Sequence, residues 1–458
     1  MAKLQTLAEA APFTVDDEAS LERETMRKVG TRLLPFLFVL FVFNFIDRSN
    51  VALAALQMNR DLHFSSTAFG FGAGIFFIGY AIFEVPSNIA LARIGARRWI
   101  ARIMISWGIL ASAMMFVHSP IQFYALRFLL GVAEAGFFPG IVYYLTQWFP
   151  QQRRARATSR FFVALPVSGI VGGFLGGFLL GLDGHSGLAG WQWLFLVEGV
   201  PSILLGISVL WYLTDTPRDA HWLSEQQRAW LVGRMETDVR ESGAIHHASA
   251  LEVLRRPIVW FMALPYFLML TAGYGYTFWV PIIIRDTLHT TDRQTGLVTA
   301  TIAAVSMTIM LLSAAHSDRK EERYYHAGSS GVLIAIGFTG AALLPQPILR
   351  IMFLGLVIIG CNMMLAPFWC LPSTVLTGSA AAVGIALINS LGNVGGFIGP
   401  YVIGFVKDLT GGTKGSFLGL AVFGVGVAIL CVSLKHTILG QKRTRQRDTE
   451  IPGEFLVT

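Results

Sequence analysis

Residues 33–57 read LLPFLFVLFVFNFIDRSNVALAALQ, a run from Leu33 to Gln57 in which the only ionised side chains are Asp47 and Arg48. A helix rises about 1.5 Å per residue, so about 20 apolar residues cross the hydrocarbon core of a bilayer. The run is long enough to span. Working outward, eleven further apolar runs lie near 67–92, 99–117, 121–147, 157–181, 192–213, 257–284, 294–315, 325–343, 348–371, 380–406 and 416–437. They predict an all-α integral membrane protein of twelve transmembrane helices. The composition agrees, with 54% apolar and 14% charged residues, against about a quarter charged in soluble domains.

Of the 35 Lys and Arg, 27 fall on the side of the two termini, 6 on the other side, and two, Arg48 and Arg127, inside spans. By the positive-inside rule both termini are cytoplasmic, so the net charge of +7 reports topology rather than nucleic-acid binding. The first 30 residues mix acids and bases without the apolar core of a signal peptide. The long interior polar stretch opens at Asp215 and contains Ser224, Glu225, Gln226 and Gln227, a helix-start pattern. The expected organisation is therefore a cytoplasmic tail over 1–32, a six-helix bundle over 33–214, a cytoplasmic linker over 215–256, a second six-helix bundle over 257–437 and a cytoplasmic tail over 438–458. A multi-pass protein of a bacterial inner membrane, working as a monomer, is expected.

The halves echo one another. Gly172-Gly173-Phe174-Leu175-Gly176-Gly177 returns as Gly395-Gly396-Phe397-Ile398-Gly399-Pro400, displaced by 223, and Ala92-Arg93 returns as Asp318-Arg319, displaced by 226. Duplication of a six-helix unit is the plan of carriers that rock two halves about a central site. Gly169, Gly173 and Gly177 form a ladder of small residues for close helix packing. No phosphate loop surrounds Lys414, and neither HExxH nor GxSxG occurs, so an ATP-driven pump or a hydrolase is not supported. Cys361, Cys370 and Cys431 read as buried small hydrophobes. His289, His316 and His326 read as solvated loop residues without metal-ligand spacing; no metal and no cofactor is expected, only protons as a coupling ion.

Six ionised residues lie inside spans and away from the span ends: Asp47, Arg48, Glu84, Arg127, Glu134 and Glu198. Each costs roughly 2.5–3.5 kcal/mol near mid-membrane on insertion scales. Arg127 and Glu134 are two helical turns apart on one face, about 10 Å along the axis, where long side chains nearly meet. Asp47 and Arg48 point about 100° apart, so one can face a cavity while the other turns to a neighbouring helix. Glu84 and Glu198 read as structural, within reach of loop arginines such as Arg97, Arg153 or Arg156. Asn44, Tyr80, Asn362, Trp369, Asn389 and Asn393 offer a polar and aromatic lining. Arg48 and Arg127 are expected to face one shared aqueous pocket.

Asn44-Phe45-Ile46-Asp47-Arg48-Ser49-Asn50 and the string from Arg127 through Gly131, Glu134 and Pro139 to Gly140 resemble the major facilitator superfamily. Within it they resemble the anion:cation symporters, which include bacterial carriers of tartrate, galactonate, phthalate and hydroxyphenylacetate and the vesicular glutamate and sialic acid carriers. The resemblance covers nearly the whole chain. It implies proton-handling roles for Asp47 and Glu134, anion-binding or charge-compensating roles for Arg48 and Arg127, and cavity positions for Tyr80, Trp369, Asn389 and Asn393. The superfamily's loop motif GxLaDrxGrr departs here: Asn88 and Ala92 replace its Gly and Asp beside Arg93, Gly95, Arg97 and Arg98. In the second half Asp318, Arg319 and Arg323 remain, with Glu321 at the Gly position. Gating pairs would draw on Asp318, Arg319 and Arg93.

The expected function is proton-coupled uptake of a small organic anion, such as tartrate, a sugar acid or an aromatic carboxylate, by alternating access. Ala366 and Phe368 favour a compact or partly apolar carboxylate over a polyol acid. The alternatives are an organic anion exchanger or exporter, or a non-transporting membrane receptor; an enzyme is not expected.

Overall fold

The computed structural model describes residues 15–150, 153, 160–241, 255–372 and 378–449. Its helices are α1 (Val15–Ser49), α2 (Val51–Asp61), α3 (Ser66–Ile94), α4 (Ala96–Ala113), α5 (Pro120–Glu134), α6 (Phe137–Trp148), α7 (Ala164–Leu180), α8 (Gly190–Tyr212), α9 (Glu225–Glu241), α10 (Pro257–Leu288), α11 (Asp292–Lys320), α12 (Tyr324–Leu343), α13 (Pro347–Cys370), α14 (Gly378–Thr410) and α15 (Lys414–Thr449). Among the described residues, eleven helices or continuous helix pairs are long and apolar enough to span, with α1–α2 and α5–α6 each counting as one. The remaining apolar helix, α7, has 17 residues and occupies the expected fifth run.

Helix starts follow local chemistry. Ser65 Oγ accepts from Ala68 N at the head of α3, Ser119 does so for Gln122 N with Pro120 in the first turn, and Thr291 forms a capping box with Gln294 at α11, each satisfying amide groups that the first turn leaves free. Ser224 and Gln227 exchange the reciprocal bonds of a capping box before α9, as their spacing predicts. The fourth span is interrupted at Gly136, whose φ of +84° is costly for any residue with a Cβ. The segment read as a polar tail is helical from Val15, so α1 runs on past the span. It is tied down by Arg153 Nη2 to Glu22 Oε1 (2.8 Å), Gln227 Nε2 to Glu24 Oε1 (3.1 Å) and Tyr212 Oη to the Arg32 carbonyl (3.1 Å).

Helices α1–α8 make one half and α10–α15 the other, with α3 against α5 and α4 against α8 in the first, and α10 against α14 and α12 between α13 and α15 in the second. Two long seams join the halves, α3 on α14 and α7 on α11. The internal repeat explains why there are two. Adding 226 to the bounds of α3, 66 and 94, gives 292 and 320, the bounds of α11, and the same shift carries the capping Ser65 onto the capping Thr291. Gly70 packs against the Pro400 carbonyl in one seam. Its repeat mate Gly296 packs against Gly173 and Gly177 in the other, where an added Cβ would lie 2.7 Å from Gly177 Cα. The seams are one helix–helix contact built twice, with small residues allowing the backbones to touch.

The halves are tied at the end away from the linker. There Gln57 Nε2 donates to Asp292 Oδ2 (2.7 Å), Arg285 Nη1 to the Leu56 carbonyl (2.5 Å), and the Ser66 and Thr67 amides to the two oxygens of Asp408 (3.1 and 2.7 Å). The last is a carboxylate from one half at the helix N-terminus of the other, where the peptide dipoles favour an anion. At the linker end, the ion pairs Arg97–Asp215 (3.6 Å) and Asp318–Arg323 (2.5 Å) each close within one half.

Candidate functional site

Between the halves lies a cavity of about 1180 Å³ including its open mouth, bounded by α1, α2, α7, α10, α11 and α13. Most of its wall is apolar; its cation is Arg48, and Tyr274, Tyr276 and Asn362 add polar groups. Arg48 is buried on the end of α1. Its Nε and Nη2 both donate to Glu134 Oε1, and its Nη1 donates to Tyr274 Oη of the second half at 3.2 Å. The guanidinium carbon lies 5.0 Å from the Phe45 ring, 5.3 Å from Phe76 and 5.2 Å from Tyr80, within cation–π range. Glu134 is fully buried as the last residue of α5, and its Oε2 has no hydrogen-bond partner among the described residues. One oxygen holds the arginine and the other is free.

Asp47 turns the other way, as adjacent helical positions require. Its Oδ2 accepts from Trp107 Nε1 of α4 (2.7 Å) and Ser202 Oγ of α8 (2.5 Å), inside the first bundle rather than on the cavity wall. Glu198 lies one turn before Ser202 on α8, 1% exposed. The sequence predicts Asp47 among the central charges and Glu198 near loop arginines; the partners of Asp47 are instead Trp107 and Ser202, which carry no charge and give no sequence signal.

Arg127 does not line the cavity in this conformation, against expectation. Its Nε and Nη2 donate to the Gly72 and Ala73 carbonyls of α3 (3.3 and 3.0 Å), with the Phe76 ring 4.9 Å away. Gly72 has no side chain, so α5 comes close enough for the guanidinium to reach backbone oxygens. Glu134 therefore meets Arg48, not Arg127. Tyr80 is buried beneath Arg48, and Trp369 packs edge-on to Tyr266 with centroids 5.0 Å apart. Asn362 donates to Ser306 Oγ (2.8 Å) on the cavity wall. Asn44 is buried one turn before Arg48 with its amide unpartnered among the described residues, and Asn393 is buried on α14. Asn389 lies in the α3–α14 seam, where its Nδ2 and Ser390 Oγ donate to the two oxygens of Glu84 (2.8 and 2.6 Å). Glu84 thus meets the opposite half, not a loop arginine.

The expected gating residues are only partly assembled. Asp318 pairs with Arg323, while Arg319 and Arg93 are exposed, and Arg97 is the arginine of its loop that finds an acid, Asp215. Across the corner between α11 and α12, His316 Nδ1 and His326 Nε2 are 2.8 Å apart and His326 Nδ1 is 2.9 Å from Glu322, so these histidines are bonded rather than free in solvent. Burial by itself would push the Glu322 carboxyl up; the amides of Tyr325 and His326 and the His326 ring outweigh it and hold the group below the usual glutamate range. Cys361 and Cys431 are buried as expected, whereas Cys370 is exposed.

Two repeat-related helical halves joined along glycine seams, with a cavity between them and buried charges on its wall, define a membrane carrier. The comparisons place it further: residues 37–400 match the Major Facilitator Superfamily, and the chain belongs to that family. A protein of Agrobacterium vitis named for tartrate transport is 46% identical over 419 residues, covering 92% of this chain and 96% of its own. A quinolone resistance transporter of Acinetobacter baumannii is 39% identical over 401 residues, covering 88% and 92%. Among solved structures, a bacterial homologue of the human lysosomal transporter Spinster, inward-facing and unoccupied, superposes with a TM-score of 0.73 at 17% identity, over 91% of this chain and 98% of that one. The protein is a multi-pass membrane transporter of a small molecule and not an enzyme.

Proposed function

We propose that this transporter is a proton-coupled symporter that takes up a small organic anion by alternating access. The observation that carries the reading is the buried Arg48–Glu134 pair on the wall of an otherwise apolar cavity. A carboxylate substrate is the natural competitor for that guanidinium, because Arg binds carboxylates through parallel charge-assisted bonds. As substrate engages Arg48, Glu134 loses its counter-charge and accepts a proton on the free Oε2, so anion and proton bind together. A neutralised site can then be dehydrated and moved between sides, whereas a bare charge cannot. Asp47, anchored by Trp107 and Ser202, is the second proton-handling carboxylate in this reading.

The aromatic wall of Phe45, Tyr274 and Phe278 suits a carboxylate with an apolar or planar body, and the similarity to a protein named for tartrate transport makes tartrate the first probe. We place the linker end in the cytoplasm of a bacterium, on the lysine and arginine bias. The present conformation, sealed at the far end, is then the one open to the cytoplasm. The chain works as a monomer, with protons as its coupling ion and no cofactor.

The test is uptake into proteoliposomes under an imposed pH gradient, beginning with L-tartrate and extending to carboxylates that stabilise the protein thermally. Wild type should accumulate substrate on acidification of the outer side, and Asp47→Asn and Glu134→Gln should exchange without accumulating. Accumulation that persists in both variants rules out their proton role. A wild type accelerated only by inner acidification assigns export instead.

A further inference from the structure

The first bundle holds a second buried acid that the cycle above does not use. Glu198 on α8 is 1% exposed, and neither carboxyl oxygen has a hydrogen bond of normal geometry among the described residues. Asp47 and Asn50, the latter on the α1–α2 junction, are its neighbours, and Asp47 Oδ1, Asn50 Nδ2 and Ser112 Oγ at the end of α4 likewise have no hydrogen bond of normal geometry among the described residues. An added Cβ at Gly199 would lie 2.5 Å from Ser112 Oγ, which places that hydroxyl beside the Glu198 turn. Helices α1 and α8 run antiparallel. Ser202 meets Asp47, so Glu198, four residues earlier, is level with Asn50, three residues later.

The ionisable group facing Glu198 is Asp47 of α1; α4 presents Trp107 and Ser112, and α8 itself presents Ser202. Arg48 is on the opposite face of its helix and engaged by Glu134. Two carboxylates buried in one compartment, with no cation between them among the described residues, cannot both stay ionised at tolerable cost. A purely structural role needs no acid here, since an amide or an apolar residue would pack without that cost.

We propose that Glu198 is a proton-binding site of the transport cycle, forming with Asp47 a two-carboxyl relay inside the first bundle, apart from the substrate cavity. Asp47 first releases its proton toward the linker end; the proton of Glu198 then leaves its carboxyl oxygen and lands on Asp47 Oδ1, the oxygen that Trp107 and Ser202 leave free, and the Glu198 carboxylate is reprotonated from the far side, toward which it lies one turn closer. The carrier would thus hold a titrating carboxyl beyond Asp47 and Glu134. The proposal rests on the proton-coupled reading above.

The experiment is a pH titration of the purified full-length carrier without substrate, followed by infrared difference spectroscopy of protonated carboxyls, alongside proton-driven L-tartrate uptake. Glu198→Gln, an isosteric replacement of the neutral acid, should keep the wild-type thermal midpoint, lose one titrating carboxyl component and lose one proton from the steepness of the uptake pH profile. Asp47→Asn should move the midpoint of the Glu198 component. A Glu198→Gln titration that superposes on wild type overturns the proposal. Should that variant fail to fold, an Asp47→Asn titration lacking only the Asp47 component, with no other band displaced, overturns it equally. The coupling reading fails separately, when wild-type uptake ignores the pH gradient while the titration is as expected.

Discussion

Arg48 shows how one side chain can hold a carrier in waiting. Its charge is compensated by Glu134 of the same half and touched by Tyr274 of the other, so whatever displaces Glu134 is felt by both halves at once. Removing one partner of a buried pair costs about 3–5 kcal/mol, while replacing both by apolar groups of similar volume is close to neutral. Glu134→Ala should therefore lower stability by about 3–5 kcal/mol, and the double variant Arg48→Met/Glu134→Leu should regain most of that loss while transporting nothing, measured by thermal or denaturant unfolding beside flux. A double variant that still transports would remove Arg48 from the anion site. The sequence exposed Arg48 and Glu134 as charges where lipid tolerates none, but it paired Glu134 with Arg127, seven residues away on its own helix. The pairing was decided by Arg48 at the end of α1 reaching Glu134 at the end of α5 and by the α3 carbonyls that take Arg127, contacts between residues 86 and 54 apart in the chain.

At the scale of helices, the α7–α11 seam works only while it stays small. Gly296 lies so close to Gly173 and Gly177 that a branched side chain has no room. Gly296→Val should open the far end and raise the modification rate of a cysteine placed at Ala300 by about tenfold or more, with little effect on the repeat-related seam; unchanged protection there would show that the seam does not gate. Gly136→Ala tests the break between α5 and α6: a left-handed conformation costs an L-residue roughly 1–2 kcal/mol, and the new methyl meets the Ser87 side chain, so a loss of at least that size is expected on unfolding. At the linker end, Glu322 caps α12 with its carboxylate. Because its folded-state pKa lies below the ordinary glutamate value, it stabilises the corner above the glutamate range, and this contribution fades as pH falls through the lowered value. Glu322→Gln should narrow the stability difference between neutral and acidic buffer, read from thermal midpoints. The apolar runs and the glycine ladder made these helices legible in advance. The extension of α1 to Val15 was not, because its Glu22 and Glu24 are held by Arg153, beyond the end of α6, and by Gln227 of the linker, partners far away in the chain.

For the whole molecule, the two ends are unequal: the far end is crossed by Gln57–Asp292, Arg285–Leu56 and Asp408 on the head of α3, while the loop pairs at the linker end stay within their own halves. Asp408→Asn replaces a charge at a helix N-terminus by a neutral group, a loss of about 0.3–1 kcal/mol, which multiplies the population of the far-open state by roughly two to five. Spin-label distance distributions between α3 and α14 at the far end should show that shift; a distribution identical to wild type would mean that other contacts alone set the equilibrium.

The sequence by itself determined the apolar runs and their order, the fixed offset that relates one half of the chain to the other, and which charges lie among the apolar residues. Each of these is local: an apolar run must be long enough for the bilayer, a buried charge stands out against it, and a repeat is visible as a fixed offset. Only the tertiary structure decided which charges meet, that Asp47 looks into the first bundle while Arg48 looks out, and that Glu84 belongs to a seam and Glu198 to the interior of the first bundle beside Asp47. Those outcomes depend on rotation and depth between helices far apart in the chain, where neutral partners such as Trp107, Ser202, Asn389 and backbone carbonyls compete with ionic ones for every buried charge.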